Sequence, residues 1–380
     1  LGLKNKIELI NLDPNLNKRQ TYIKSKNINS IKKFVYDNAP LGYGILSSLQ
    51  TLLKDYRPDL TLHKKLFKDI SNSSIMIYDF VKRLLIEKKP DEIYIFNGRI
   101  AESWPIVCLA KKLNINYYTY EVANSSKDKF QIYKNTTIHL ANSQIKVPKN
   151  YLKKNLKHKI KIAADFIYKK KKLFKNSTLR NYTNNFKKNL LPINVDYKLR
   201  NICIFNSSIE ELNSIKNFSL NIYKNHNSAI FKILKHFRSN KEFFFYLRLH
   251  PGLAFKNVDS SQMKEIIYEC KKYKNLKIIW PEDKVDSYSL AKISEKIITF
   301  GSTIGFESSF SGKPVISLDN KFFKNLNYAY FPKTHTQAIN LIKTKKLKPK
   351  NMFNSLFFFN HLLNRGQRFK YFQSKNKNLF

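Results

Sequence analysis

Two short polar segments, each directly after an apolar run, contain residues suited to bind a phosphate group. Gly301-Ser302-Thr303 follows the run that ends at Phe300, and Glu307 comes one helical turn later. Glycine allows close approach of the backbone, and a helix start adds free N–H groups and the positive end of the helix dipole. This segment predicts an anion site in which Glu307 accepts hydrogen bonds from ribose hydroxyls. The alternative is an ordinary capped helix.

The second segment is Arg248-Leu249-His250-Pro251, which comes at the end of a strongly apolar run. A histidine stiffened by the following proline can donate a hydrogen bond to a departing phosphate. The alternative is a loop histidine without a role. A third candidate is Ser207-Ser208, followed by two glutamates, which predicts either a helix cap or hydroxyls that face a ligand cleft.

The first half of the chain has a polar strand end of its own, Asn97-Gly98-Arg99. The planar guanidinium of Arg99 suits a sugar carboxylate or phosphate, although an ordinary surface arginine has the same sequence context. Candidates for a general base are Glu121, which ends a predicted strand, then Glu102 and, less favoured, Asp91; a solvated loop acid is the alternative for Glu121. The sequence has no carboxylate pair or histidine cluster with metal-ligand spacing, so we expect a site without a metal or other cofactor.

These segments lie within an alternation of predicted strands and helices. In the first half, a helix over residues 74–89 precedes a strand over 93–96, a helix over 104–113 and a strand over 116–120. From residue 201, predicted strands separated by helices cover residues 202–205, 243–249, 276–280, 296–300 and 314–317. This alternation predicts an α/β fold with parallel, doubly wound sheets, in which ligands bind beyond the carboxyl ends of the strands.

As a group, the motifs of the second half resemble those of bacterial capsule and surface-polysaccharide glycosyltransferases, which have the two-lobed GT-B fold. The matching segments are residues 248–251, 286–288, 301–307 and 312–316, and residues 96–99 with Glu121 are similar to the first half of the same proteins. Histidine-proline and Ser/Thr-rich motifs of this kind also occur in bacterial sialyltransferases, Kdo transferases and the CDP-glycerol polymerases of teichoic acid.

The resemblance implies two Rossmann-like, doubly wound lobes that face each other across a cleft. It implies that the second lobe binds a nucleotide-sugar donor through Ser207, Ser208, Arg248, His250, Ser302, Thr303 and Glu307. It also implies that the first lobe binds the acceptor, through Asn97 and Arg99, and supplies the base. Charge on the leaving nucleotide would be neutralised by His250, a helix dipole and Lys or Arg, without a metal ion.

The length of 380 residues suits two domains. We predict a first lobe over residues 1–190, with a basic linker at its end, a second lobe over 191–345, and a helical segment over 346–380 that packs back on a lobe. A further strand is predicted over residues 7–12. The three cysteines are far apart and form no CxxC pair, which favours a reducing cytoplasm. The start at Leu1 lacks a signal-peptide pattern, and a missing N-terminal piece is one interpretation.

The formal net charge of +43 has three interpretations. They are attraction to nucleic acid, attraction to an anionic membrane surface or acidic substrate, and the lysine and asparagine bias of an AT-rich genome. The positive residues are spread along the chain without a compact nucleic-acid-binding module, so we expect no nucleic-acid partner. No apolar run reaches the ~18 residues of a membrane span. We therefore expect a cytoplasmic protein, with peripheral attachment to the inner face of the membrane as an option.

These observations predict a nucleotide-sugar-dependent glycosyltransferase that extends a capsular or lipopolysaccharide-type glycan on a glycan or lipid-linked acceptor. One alternative keeps the fold but changes the reaction, to CDP-glycerol-type glycerophosphate transfer or nucleotide-sugar epimerisation. Alternatives from other classes are a basic nucleic-acid-binding protein and a non-catalytic glycan-binding protein.

Overall fold

The computed structural model describes residues 10, 27–123, 129–143, 151–171, 186–215, 220, 222–253, 260–319 and 324–370. Apart from residue 10, the predicted strand over residues 7–12 lies outside the described residues.

The first lobe is built on a mixed four-stranded sheet with the strand order β1-β2-β3-β9. Its elements before the linker are α1 (Ile28–Lys32), α2 (Gly42–Leu53), α3 (Lys64–Lys88), β1 (Glu92–Phe96), α4 (Trp104–Lys112), β2 (Asn116–Val122), β3 (Lys129–Lys134) and α5 (Ile138–Ser143). Strands β1 and β2 are parallel, whereas β3 is antiparallel to β2. Helix α3 ends at Lys88, and the next residue, Lys89, takes the left-handed conformation directly before Pro90.

The second lobe is built on a five-stranded, wholly parallel sheet with the strand order β6-β5-β4-β7-β8. Its elements are α6 (Leu156–Lys171), β4 (Arg200–Phe205), α7 (Glu210–Asn213), α8 (His226–His236), β5 (Phe243–Arg248), α9 (Ser261–Cys270), β6 (Leu276–Ile279), α10 (Ser287–Ile293), β7 (Lys296–Thr299), α11 (Thr303–Phe310), β8 (Val315–Ser317), α12 (His335–Lys343) and α13 (Asn354–Asn364). A last strand, β9 (Gln367–Arg368), returns to the first sheet beside β3.

Helices cover both faces of the second sheet. Ile204 and Leu247 share one buried cluster with residues of α8, α9 and α12. Cys203 and Phe205 point to the opposite face, into a cluster with residues of α10, α11 and α13. The predicted α/β class with two sheet-based lobes, the GT-B arrangement, is therefore confirmed, and the second lobe is doubly wound. The first lobe departs from the predicted parallel sheet, because only β1 and β2 are parallel and the later strands β3 and β9 add antiparallel pairs.

Helix α6 packs on the second lobe, although the predicted boundary at residue 190 assigns it to the first. Ala163, Phe166 and Ile167 are buried in the same cluster as Phe359 of α13, and the Phe166 and Phe359 rings lie 5.3 Å apart. The reason is the apolar face of α6, which is complementary to the aromatic face of α13. The linker that joins the lobes in the chain is thus partly second-lobe structure.

Hydrogen bonds and an ion pair connect the lobes directly. The loop after α2 meets the start of α9, where Asp55 Oδ2 accepts from the Ser261 amide at 3.1 Å and from its hydroxyl at 3.0 Å. Glu265 accepts from the Tyr56 hydroxyl at 2.6 Å and from Arg57 at 2.5 Å. These contacts join the loop after α2 in the first lobe to α9 in the second lobe.

Candidate active site

The polar segments predicted for the second lobe converge at one edge of its sheet. Strand β4 lies between β5 and β7, and Phe205 is paired with Arg248 on one side and with Thr299 on the other. From β4 the chain adds β5 and β6 on one side of the sheet, and then β7 and β8 on the other side. Open α/β sheets form a ligand crevice at the point where the order of strands changes direction, here between β4 and β7. The segments that follow these three strands therefore border the same crevice.

His250 is held at this edge by its backbone and by its ring. Its amide donates to Asn206 Oδ1 at 2.7 Å, which ties the ends of β5 and β4 together. Its Nδ1 accepts from the Gly252 amide at 3.1 Å. A ring nitrogen that accepts a backbone N–H carries no proton, so the proton of the imidazole is on Nε2. This tautomer makes Nε2 a hydrogen-bond donor, as the predicted role requires.

Ser207 and Ser208 form a turn that is held by hydrogen bonds to the side chain of Gln262 in α9. The Gln262 side chain donates to the Ser207 carbonyl at 2.8 Å and accepts from the Ile209 amide at 3.2 Å. Ser208 is 3% exposed and Ser207 is half-buried. The sequence analysis singled out the two serines but missed Asn206 and Gln262, which position the turn.

The third segment begins α11 as predicted. Gly301 has a φ of +77°, and Ser302 takes an extended conformation as the first cap residue without a side-chain cap bond. Ser302 and Thr303 are half-buried at the positive end of the helix. Glu307 is 2% exposed, and its carboxylate hydrogen-bonds to the Tyr288 hydroxyl, the pKa of which is raised by burial and by Glu307. Contact between Glu307 and a ribose stays a prediction, and Tyr288 is its partner in this structure.

Arg248 lies at the end of β5, but its side chain contacts other parts of the protein. Its guanidinium donates to the carbonyl of Trp280 and, at 3.3 Å, to that of Asp283, and lies 4.8 Å from the ring centre of Phe186. The residue is 2% exposed, and burial lowers its pKa to about 10. These contacts favour a positioning role for Arg248, on the loop after β6, over the predicted contact with the donor.

A buried histidine that the sequence analysis missed lies beneath the crevice. The His226 ring is 4.5 Å from that of Phe300, and its Nδ1 is 3.5 Å from the Ser207 carbonyl. It therefore touches the segments that follow both β4 and β7. Burial lowers its pKa from 6.5 to about 4, so the imidazole is neutral at pH 7.

Neutral burial of His226 predicts a loss of stability in mild acid. Because its folded-state pKa is depressed, the favourable contribution is complete above pH 6.5 and is lost as the pH falls towards 4. In urea titrations across this window, His226→Gln should flatten the pH dependence of the unfolding free energy, by up to about 1.4 kcal/mol per pH unit. The same substitution at exposed His158 is the control. Equal slopes for His226→Gln and the wild type would contradict this account.

In the first lobe, the turn after β1 directs Arg99 into the cleft. Asn97 and Gly98 both have positive φ, of 61° and 76°. Asn97 Oδ1 accepts from the Arg99 amide at 3.1 Å, and its Nδ2 donates to Glu121 Oε2 at 3.4 Å. A Cβ on Gly98 would come within 2.8 Å of Thr119. Asn97 thus positions the turn. Contact between Asn97 and an acceptor stays a prediction.

Arg99 borders a small, partly open cavity that is lined by residues of both lobes. The first-lobe residues are Tyr43, Gly98, Arg99, Trp104, Thr137, His139 and Leu140, and the second-lobe residues are Ser214 and Ile215, just after α7. Neither predicted base borders it. Glu121 lies within β2 beside Asn97, and Glu102 is exposed, with the Ser48 hydroxyl 3.5 Å from its carboxylate.

The described residues contain neither a candidate membrane span nor a candidate metal-binding cluster. Among them, no helix is both long and apolar enough to span a bilayer. No group of three or more histidine, cysteine and acidic side chains in this part of the chain is arranged to hold a metal ion.

Several solved structures are similar to this chain at a low level. One is KpsC of Thermosulfurimonas dismutans, described as a β-Kdo 2,7 transferase, with 15% identity and a TM-score of 0.37 over 73% of this chain and 78% of that one. A second is S. aureus MnaA with UDP, with 14% identity and a TM-score of 0.33 over 77% of this chain and 80% of that one. A third is Neisseria meningitidis UDP-GlcNAc 2-epimerase bound to UDP-GlcNAc, with 15% identity and a TM-score of 0.34 over 77% of this chain and 81% of that one. No protein-family profile matches the sequence, and no curated protein matches it significantly.

Proposed function

We propose that the protein is a glycosyltransferase that moves a sugar from a nucleotide-activated donor to a hydroxyl group of a growing surface glycan. The observation that carries this proposal is the crevice between β4 and β7, which is bordered by His250 with its Nε2–H donor, by the N-terminus of α11 and by Ser207 and Ser208. The small cavity that Arg99 borders is the proposed place for a polar group of the second substrate. One site for an anion and one for a polar acceptor suit group transfer.

In this mechanism, the second lobe binds the donor phosphates at the start of α11 and beside Ser207 and Ser208. Negative charge grows on the phosphate as the bond to the sugar breaks, and His250 Nε2–H stabilises that charge. The first lobe presents the acceptor hydroxyl near Arg99. The contacts of Asp55 and Glu265 across the cleft keep the lobes together and water out, since hydrolysis of the donor is the competing reaction.

Nucleotide binding is the first test of the proposal. In thermal-shift measurements with CMP, CDP, UDP, GDP and their sugars, at least one ligand should raise the unfolding midpoint. At about 100 times its dissociation constant, a ligand contributes about 2.7 kcal/mol to folding stability. Absence of any shift at millimolar concentration across the panel would refute a nucleotide-dependent enzyme.

The stabilising ligand then separates the related reactions. Nucleotide release that requires a glycan acceptor supports glycosyl transfer, whereas release of CMP from CDP-glycerol with polymer growth supports glycerophosphate transfer. Conversion of the free sugar to its epimer without an acceptor supports epimerisation.

We also propose that the protein attaches peripherally to an anionic membrane that holds its acceptor. The net charge of +43 supports attraction that fades within a Debye length of about 8 Å at physiological salt. Binding to vesicles that contain anionic lipid should therefore be lost as salt is raised to about 1 M. Equal binding at high salt, or to neutral vesicles, would contradict an electrostatic attachment.

A further inference from the structure

The cavity between the lobes contains a histidine that no motif predicted. His139 lies in α5, shortly after β3, and borders the cavity together with Arg99 and Tyr43. Across from them is Ser214 of the second lobe, which is 1% exposed. Within the described part of the chain, no hydrogen bond joins the His139 imidazole to a protein group.

The surroundings of His139 keep its ring neutral. Burial, and in addition the positive charge of Arg99, lower its pKa from 6.5 to about 4. Arg99 is the only charged group of the described residues that has a marked effect on this ring, and Tyr43 is the other ionisable side chain at the cavity. A neutral imidazole next to a guanidinium has an available lone pair but a weak one.

We propose that this cavity receives the anionic group, a carboxylate or a phosphate, of an acceptor sugar that lies at its open side, and that His139 is the catalytic base. This inference rests on the proposed function. The anionic group pairs with Arg99, whose planar fork is complementary to either anion. Pairing offsets the positive charge beside His139, so the arrival of the acceptor strengthens the base that will act on it.

The chemical step is balanced without a further reactant. The acceptor oxygen forms a bond to the anomeric carbon of the donor sugar, and the bond from that carbon to the phosphate oxygen breaks. The proton of the acceptor hydroxyl passes to the His139 lone pair, and the phosphate leaves with the bonding electrons. The imidazolium then releases its proton to solvent after the product has left.

The same geometry argues against the two carboxylates favoured by the sequence. The Glu121 carboxylate accepts from Asn97 beneath the turn, and Glu102 is exposed beside Ser48. His139 borders the cavity itself, where an acceptor held by Arg99 would lie. A base that is weak until the acceptor binds also limits activation of water against the donor.

The test follows the His139 pKa directly by NMR of protein with labelled histidines, in which His139→Gln identifies the signal. Between about pH 5 and 8, the wild type should show no titration of His139 in chloride alone. Sodium glucuronate or inorganic phosphate should raise its pKa by about 1 or more, into the observed range. The two anions distinguish a carboxylate site from a phosphate site. Arg99→Gln should remove the response.

The anionic subsite is overturned if neither anion changes the His139 pKa of the wild type, or if the anions raise that pKa equally in Arg99→Gln. Neither readout requires transferase activity, so a failure of the proposed function is seen separately. In the transfer assay, His139→Gln should lower kcat about 10²–10⁴-fold with little change in acceptor KM, whereas Arg99→Gln should raise that KM. A kcat of His139→Gln within about threefold of wild type overturns the role as base.

Discussion

Replacement of His250 by alanine is expected to reduce turnover about 10²–10³-fold while the protein stays folded. The structure holds the residue by its backbone, through Asn206, and orients its ring through the Gly252 amide. Loss of the ring removes one hydrogen bond, which costs about 0.5–1.5 kcal/mol and lowers the unfolding midpoint by a few degrees. The large effect falls on the chemical step, because the Nε2–H donor acts on charge that develops in the transition state.

Single-turnover rates at saturating donor, together with melting curves, measure the two effects separately. His250→Asn should retain more activity than alanine, since its amide can still donate. His158→Ala, on the exposed side of α6, is the control for loss of an imidazole. Unfolding of His250→Ala would make the histidine structural. Turnover within about threefold of wild type would exclude the proposed role, for which a far larger loss is expected.

The strands of the second lobe could be predicted because the sheet interior imposes a simple pattern. Strands β4, β5 and β7 are buried along almost their whole length, and strands covered on both faces have nearly continuous apolar sequences. Strands β3 and β9 were missed for the opposite reason. Strand β3 has charged residues at both ends, and β9 consists of two exposed residues. Their pairing joins residues far apart in the chain, which a local pattern does not encode.

Positions in the site were easier to predict than side-chain directions. The sequence placed His250, Ser302 and Thr303 at the carboxyl ends of strands, and they lie there. It had no means to show that Arg248 turns towards the loop after β6. His139 and His226 are brought to the cleft and the crevice by long-range packing. Neither histidine lies in a recognisable sequence motif, so the sequence alone did not indicate either of them as a site residue.

Arg248→Met should lower the stability of the fold but leave nucleotide affinity nearly unchanged. Methionine fills much of the space, but it cannot donate to the carbonyls of Trp280 and Asp283, which lose a charged partner. Loss of the donor to two buried carbonyls costs about 1–3 kcal/mol, so the unfolding midpoint should fall by several degrees. Nucleotide dissociation constants, measured at a temperature where the variant is folded, should change less than about threefold, well under 1 kcal/mol.

A large loss of nucleotide affinity would instead indicate that Arg248 contacts the donor. A donor contact affects nucleotide binding, whereas a positioning contact affects the unfolding midpoint. If Arg248 binds the donor phosphate, Arg248→Met should weaken nucleotide binding tenfold or more, about 1.4 kcal/mol, with a small change in midpoint. Arg248→Lys separates the cases further. Lysine keeps the positive charge but lacks the fork that reaches two carbonyls at once, so a positioning role predicts a midpoint between those of methionine and wild type. A phosphate contact instead predicts nucleotide affinity close to wild type for lysine, since a point charge still attracts the phosphate.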